Sequence, residues 1–271
     1  MASSTFKSIA VFGGNGFLGH KICEIGIRNN YNVTSFSRKG EPPQSVIHQP
    51  WVSKVNWEKA DIFNPKTYGH KLKDFNSVVH SIGLLFENLN YKSSINTNFN
   101  ILNDLQNLTN SFSGSNPMEK AGYKLTYESL QKDSAVILAN AFIENQKESP
   151  RNYVYISADK NPPIIPKNYI VTKREAEFEL SCKRELNTII MRPGAMYDET
   201  HEGNLTKRDI LMRGLRFGVG LKNCTIGNSI GFVNDLVRPV VSTEQVANTI
   251  FKKLQEEDSK GVVKLEEIVK N

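Results

Sequence analysis

Residues 13 to 19 read Gly13-Gly14-Asn15-Gly16-Phe17-Leu18-Gly19, a glycine cluster that satisfies both G-x-x-G-x-x-G and G-x-G-x-x-G. Before it stands a short apolar run, Ser8 to Phe12; after it, Phe17 to Asn29 carries Leu18, Ile22, Ile25 and Ile27 at helical spacing. The order is therefore strand, tight turn, helix. Glycine suits such a turn because it accepts positive φ, and because a side chain would keep the backbone from closing on a ligand. A pyrophosphate lying there would rest on the helix N-terminus, where partial positive charge and unpaired N–H groups collect. The strand and helix on either side give the motif its meaning.

The rest of the chain repeats the theme. Asn32 to Ser37 reads as a strand, Val52 to Asp61 as another because Val55 and Trp57 alternate, and Ser77 to Gly83 as a third, buried one. Residues 88–122 are polar, rich in Asn and Ser, and read as an insertion or long loop. Beyond it come a helix over Tyr127 to Gln146, a strand over Asn152 to Ser157, a helix over Asn168 to Arg184 and a strand over Thr188 to Arg192, stopped by Pro193-Gly194. Alternating strands and helices predict an α/β fold, a Rossmann-type doubly wound parallel sheet with a small C-terminal substrate-side lobe. Residues 7–196 would form the dinucleotide-binding core, and 197–271 a smaller substrate or lid lobe completing the same fold. A last helix should open near Ser242, since Ser242 and Gln245 have capping-box spacing.

With 271 residues, 39% of them hydrophobic, the chain can bury a large core. Cys23, Cys182 and Cys224 lie far apart, and His20, His48, His70 and His201 have no companion at ligand spacing, so no metal site is expected. No run reaches the roughly 18 apolar residues of a membrane span. The opening residues are too short for a signal peptide, and no Arg- and Ser-rich presequence precedes the first strand. A net charge of +6 is spread along the chain without aromatic interleaving, which argues against a nucleic-acid surface. A basic matrix-type environment and a phosphate-bearing ligand account for it equally.

Three further groups carry chemistry. At the end of the second strand stand Ser37-Arg38-Lys39, where an NAD-selective site would present a carboxylate to the ribose. Cations there suit a 2′-phosphate, so NADP(H) is expected over NAD(H), with Arg38 its main determinant. Tyr169 and Lys173 are four residues apart on one helix face, twelve residues after the strand-ending Ser157. A free phenol is a poor proton partner at neutral pH, and a neighbouring ammonium stabilises its phenolate. Ser157 would orient the substrate oxygen. His80 closes a strand near the expected nicotinamide and admits two readings, a catalytic histidine or, as preferred, a packed core one. The basic amphipathic stretch Leu205 to Leu221 similarly reads as a lid helix or a membrane-resting one, the lid being preferred.

Taken in order, the glycine motif, Ala60-Asp61-Ile62, Ser157, Tyr169-x-x-x-Lys173 and Arg192-Pro193-Gly194 resemble an atypical, extended short-chain dehydrogenase of the epimerase/dehydratase-like branch. The resemblance implies that Asp61, beside Ile62, contacts adenine. It implies too that Val79 to Gly83, with His80, Ser81 and Gly83, lines the cofactor trough, and that Pro193 and Gly194 border the nicotinamide. Val79-His-Ser-Ile-Gly83, Tyr155-Ile-Ser-Ala-Asp-Lys160, the run from Tyr169 to Glu177 and that from Asn234 to Thr243 narrow the likeness. They are similar to the fungal mitochondrial short-chain-dehydrogenase-like proteins of the coenzyme Q biosynthetic complex, themselves similar to the NAD(P)H-binding accessory subunit of respiratory complex I. That likeness implies a mitochondrial, matrix-side, inner-membrane-associated role in ubiquinone biosynthesis, coenzyme Q complex proteins as partners, a hydrophobic quinone-like ligand and peripheral membrane contact.

Three functions follow as expectations. The preferred one is an NADP-dependent oxidoreductase acting on a quinone precursor. The alternatives are a nucleotide-loaded structural or regulatory subunit, and a sugar-nucleotide epimerase or reductase.

Overall fold

In a computed structural model of the chain, the described residues are 7–84, 126–147, 151–161, 165–198, 238–256 and 259–270. Their strands are β1 (Ser8–Phe12), β2 (Asn32–Ser37), β3 (Asn56–Lys59), β4 (Ser77–His80), β5 (Asn152–Ile156), β6 (Asn187–Met191), β7 (Met196–Tyr197), β8 (Val241–Ser242) and β9 (Gly261–Val263). The helices are α1 (Gly19–Arg28), α2 (Ser134–Asn145), α3 (Asn168–Ser181), α4 (Thr243–Gln255) and the short α5 (Leu265–Ile268). Seven strands form one parallel sheet in the order β3-β2-β1-β4-β5-β6-β9, while β7 and β8 pair separately. The expected doubly wound sheet is present.

Strand side chains alternate faces, and here both faces are covered, so β1 and β5 are buried throughout. Ile9, Val11, Val33, Val79, Val154 and Ile189 pack on one side with Ile22 and Ile25 of α1 and Val246, Ile250 and Phe251 of α4. Ala10, Phe12, Phe36, Val78, Tyr153, Tyr155 and Ile190 pack on the other with Leu138 and Phe142 of α2 and Ala176 and Leu180 of α3. The order of strands reverses between β1 and β4. The carboxyl ends of those two strands open a crevice, the usual ligand position in such sheets.

Several boundaries differ from the sequence reading. Over Val52 to Asp61 only Asn56–Lys59 is strand; Val52–Lys54 is a 3₁₀ turn, and the Trp57 indole donates to the Val52 carbonyl at 3.0 Å. Trp51, Val52 and Val55 are thereby buried beneath the strand instead of extending it. The helix expected over Tyr127 to Gln146 has a π-helical turn at Glu128–Asp133 before α2 begins. There the Tyr155 hydroxyl donates to the Gln131 carbonyl at 2.8 Å and the Ser134 hydroxyl to the Leu130 carbonyl at 2.8 Å. Such insertions into the carbonyl ladder accompany widened turns. The strand expected to Gly83 ends at His80, and the helix expected to Arg184 ends at Ser181.

At α4 the anticipated capping box is complete: Ser242 accepts from the Gln245 N–H at 3.0 Å and Gln245 accepts from the Ser242 N–H at 3.0 Å. Past residue 197 the described chain returns to the sheet, with α4 packed on α1 and β9 paired to β6. The expected insertion at 88–122, the basic stretch Leu205 to Leu221, His201 and Cys224 lie outside the described residues.

Candidate functional site

The glycine loop closes where β1, β2 and β4 end. The Gly13 N–H donates to the Phe36 carbonyl at 2.9 Å and the Ser81 N–H to the Phe12 carbonyl at 2.9 Å. Gly13 has φ +88°, and a Cβ there would lie 2.9 Å from the Ser81 carbonyl. At Gly19 a Cβ would stand 2.0 Å from the Gly13 carbonyl, so loop and helix touch backbone to backbone. Gly16 differs, since among the described residues a Cβ would meet only the Gly13 carbonyl, at 3.1 Å, and the rest of its surroundings are open. No side chain caps α1, and its first turn has no acidic residue. Open space, a helix start and a first turn without acidic residues together fit a nucleotide pyrophosphate.

On β2, Ser37 is buried and its hydroxyl accepts from the Gly40 N–H at 3.0 Å, which turns the chain so that Arg38 and Lys39 are exposed. Among the described residues neither cation forms an ion pair. Across the next strand end, the Asp61 carboxylate accepts from the Phe63 N–H at 3.1 Å, and Ile62 is buried.

His80 is fully buried at the end of β4, its ring 5.6 Å from that of Tyr155. Its Nε2 meets the Ser134 hydroxyl at 2.8 Å; that hydroxyl gives its own proton to Leu130, so Nε2 carries the ring proton. Burial, helped by the Lys173 charge, lowers the His80 pKa to about 3 and keeps the ring neutral. Its Nδ1 has no partner among the described residues, nor has the Gln131 side-chain carbonyl of the π turn, whose NH₂ donates to the Leu84 carbonyl at 2.9 Å. This geometry is that of a packed histidine with one acceptor unspent.

The carboxyl end of β5 and the first turns of α3 bring Ser157, Tyr169 and Lys173 to one region. Lys173 is buried; its ammonium donates to the Ile156 carbonyl at 2.6 Å and stands 5.0 Å from the centre of the Tyr155 ring. A Cβ added at Gly83 would approach that nitrogen to 3.8 Å, so Lys173 borders the β4 trough. Burial lowers its pKa to about 7, with Glu177 opposing the shift and Arg174 assisting it. Tyr169 is buried beside Leu84, Ala158 and Ile165, its ring 5.9 Å from that of Tyr127.

The Ser157 hydroxyl faces elsewhere. It donates to the Glu177 carboxylate and accepts from Arg174 at 3.2 Å. Glu177 is buried and also receives Arg174 and Arg192, whose Nε donates at 3.0 Å. Arg238 grips Asp159 with two bonds, at 2.6 and 2.7 Å, and the Asp159 N–H donates to the Pro193 carbonyl at 2.9 Å. Gly194 packs so closely that a Cβ would meet the Pro239 carbonyl at 2.8 Å. Reading the sequence alone missed Glu177 and Arg174, although they lie four residues and one residue after Lys173 on its helix. Buried charge at the YxxxK helix was the available signal.

Comparison with known proteins agrees with this fold. Residues 62–250 match the NAD-binding family described as male sterility protein. The chain belongs to that family. It is 40% identical to MIOREX complex component 2 of Saccharomyces cerevisiae over 97% of this chain and 98% of the relative. An uncharacterized chloroplastic protein of Arabidopsis thaliana is 25% identical over 97% of this chain and 76% of its own. Among solved structures, UDP-N-acetylglucosamine 4-epimerase from Bacillus cereus covers 95% of the chain, and 77% of its own length is matched, at TM-score 0.53 and 15% identity. WbmG of Bordetella bronchiseptica in complex with NAD covers 97%, with 74% of its own length matched, at TM-score 0.57 and 12% identity. These likenesses establish an NAD-binding, epimerase-like fold.

Proposed function

We propose that this chain is a mitochondrial, NADP(H)-linked oxidoreductase of the short-chain dehydrogenase type, acting on a hydrophobic quinone precursor in ubiquinone biosynthesis. The observation that carries the reading is Lys173, a buried amine at the edge of the nucleotide trough that donates to the Ile156 carbonyl and has a pKa near the operating pH. Residues 13–19 would hold the pyrophosphate, Arg38 and Lys39 the 2′-phosphate, and Asp61 the adenine side. Ile62, His80, Ser81, Gly83, Pro193 and Gly194 would line the trough. The nicotinamide, when bound, gives or takes a hydride. Tyr169 would move the matching proton at the substrate oxygen, with the Lys173 ammonium favouring its phenolate. The apolar wall of Leu84, Ala158 and Ile165 around Tyr169 keeps water from the phenol and suits an apolar substrate.

The Ser157–Glu177 bond favours a second reading, a nucleotide-loaded structural subunit of the coenzyme Q complex or a respiratory assembly. A serine whose proton is committed to a buried carboxylate is not offered to a substrate. The yeast relative's description as a complex component supports membership of an assembly under either reading. By resemblance the matrix side of the inner membrane is the expected place, with peripheral membrane contact.

Complementation of a strain lacking the protein, with quinone content as readout, separates the two. Under the oxidoreductase reading Tyr169→Phe abolishes quinone production while NADPH binding persists, and Gly16→Val abolishes both. A silent Tyr169→Phe beside a damaging Gly16→Val selects the structural reading. Arg38→Asp should shift preference from NADPH toward NADH by tenfold or more in direct titration.

A further inference from the structure

Beside the glycine loop, the first turn of α1 carries a cluster of buried charge that the proposed chemistry does not use. His20 and Lys21 directly follow Gly19, yet they are 8% and 0% exposed, and Asp198 at the end of β7 is 2% exposed. Polar side chains in such positions are retained only when their partners are well placed, because desolvation is otherwise unrecovered. The partners here are specific. His20 Nδ1 lies 2.8 Å from the Gly16 carbonyl, an acceptor only, so Nδ1 must carry a proton for that bond. Its Nε2 lies 3.4 Å from Asp198 Oδ2, also an acceptor only, so this contact is an ion pair when the ring carries both protons. Lys21 stands 4.0 Å from the other Asp198 oxygen and 2.6 Å from Glu24. Glu24 in turn holds Arg28, which reaches Glu244 of α4 at 3.2 Å.

The same Gly16 carbonyl also accepts the His20 backbone N–H at 3.1 Å, so one residue clamps it twice. A trans peptide is planar, and its C=O and N–H point in opposite directions. Holding the Gly16 carbonyl into the helix therefore fixes the Phe17 N–H in the opposite direction, toward the helix N-terminus. Asp198 meets this first turn at the His20 imidazole and at the Lys21 ammonium, and the imidazole is the one of the two that also holds the Gly16 carbonyl.

We propose that Asp198, acting through His20, is a positioning residue for the glycine loop, a relay that joins the β7–β8 base of the C-terminal half to the nucleotide-binding turn. As a nucleotide-affinity determinant it rests on the nucleotide-binding reading above. Whatever displaces β7 also loosens the loop, so nucleotide affinity is coupled to the C-terminal half of the chain.

Hydrogen exchange on the nucleotide-free full-length protein tests the relay without any ligand. Asp198→Ala and His20→Ala should each accelerate exchange in residues 16–22 and leave α2 and α3 at wild-type rates. NADPH titration should then show tenfold or greater weakening for His20→Ala and a smaller loss for Asp198→Ala. The double variant should be no weaker than His20→Ala, because both act along one line. His20→Asn, which keeps a donor near the Nδ1 position, should recover most of the loop protection and be insensitive to a further Asp198→Ala. Unchanged exchange in residues 16–22 of Asp198→Ala, or losses that multiply in the double variant, overturns the relay. Accelerated exchange in a protein that binds neither NADPH nor NADH would retain the relay and remove the nucleotide-binding reading instead.

Discussion

At the scale of single residues, burial decides the chemistry more than residue type does. Lys173 falls from 10.5 to about 7 because its charge is taken out of water, and His80 falls from 6.5 to about 3 for the same reason. The unfolded chain thus binds more protons at Lys173 between pH 7 and 10.5, so stability rises with pH across that window. Lys173→Met removes this dependence. Its unfolding free energy relative to wild type, from denaturant titration, should fall as pH climbs from 7 to 10, by a few kcal/mol at ~1.4 kcal/mol per pKa unit. His80 acts in the same direction at lower pH: its contribution is complete above 6.5 and is lost as pH falls toward 3. His80→Gln should therefore flatten the acid limb of the stability curve between those values. Cys23 illustrates the inert extreme, since burial lifts its thiol to about 12. Of the two described thiols, exposed Cys182 should react with a thiol reagent in the native protein and Cys23 only on unfolding.

At the scale of elements, caps and turns set where helices begin. Ser242 and Gln245 satisfy each other's backbone N–H at the start of α4, and α4 covers the face of the sheet that α1 shares. Ser242→Ala should cost about 1 kcal/mol in equilibrium unfolding, the usual worth of an N-cap, and Gln245→Ala no more than that. The glycine loop obeys a stricter rule, because Gly19 lies against the Gly13 carbonyl. Gly19→Ala should lower the melting temperature of nucleotide-free protein and weaken nucleotide binding together, which separates it from a change that only touches ligand. The π turn before α2 shows what helical periodicity omits: apolar spacing marks the helix, whereas the Tyr155 hydroxyl of a distant strand marks its irregular turn.

For the whole molecule, the C-terminal segment belongs to the sheet as much as the N-terminal one does. β9 extends the β6 edge in parallel register, and Phe251 of α4 packs beside Tyr31 with ring centres 5.0 Å apart. A chain shortened to residues 1–237 would expose Ile22, Ile25 and the β6 edge, so it should be recovered as aggregate, measured as soluble yield against the full chain. The network from Glu177 through Arg192 and from Asp159 through Arg238 joins α3, β6 and the chain entering β8. Breaking it at Glu177 leaves two guanidiniums without their buried carboxylate, a change expected to cost several times a surface ion pair.

What the sequence alone determined is everything local periodicity and backbone permission can encode. The β1–glycine turn–α1 unit, the run of parallel strands, the Ser242 cap and the shared helix face of Tyr169 and Lys173 were all legible, because each depends on residues within a few positions of one another. The tertiary structure decided which way the polar groups turn. Ser157 was read as a substrate ligand, but its hydroxyl goes to Glu177, twenty residues on. His20 was read as having no companion at metal-ligand spacing, and the fold sets it beside Asp198, 178 positions along the chain. The physical reason is the same in both cases: a buried charge is stable only beside partners brought from elsewhere in the chain, and linear spacing does not record which partners the fold will deliver.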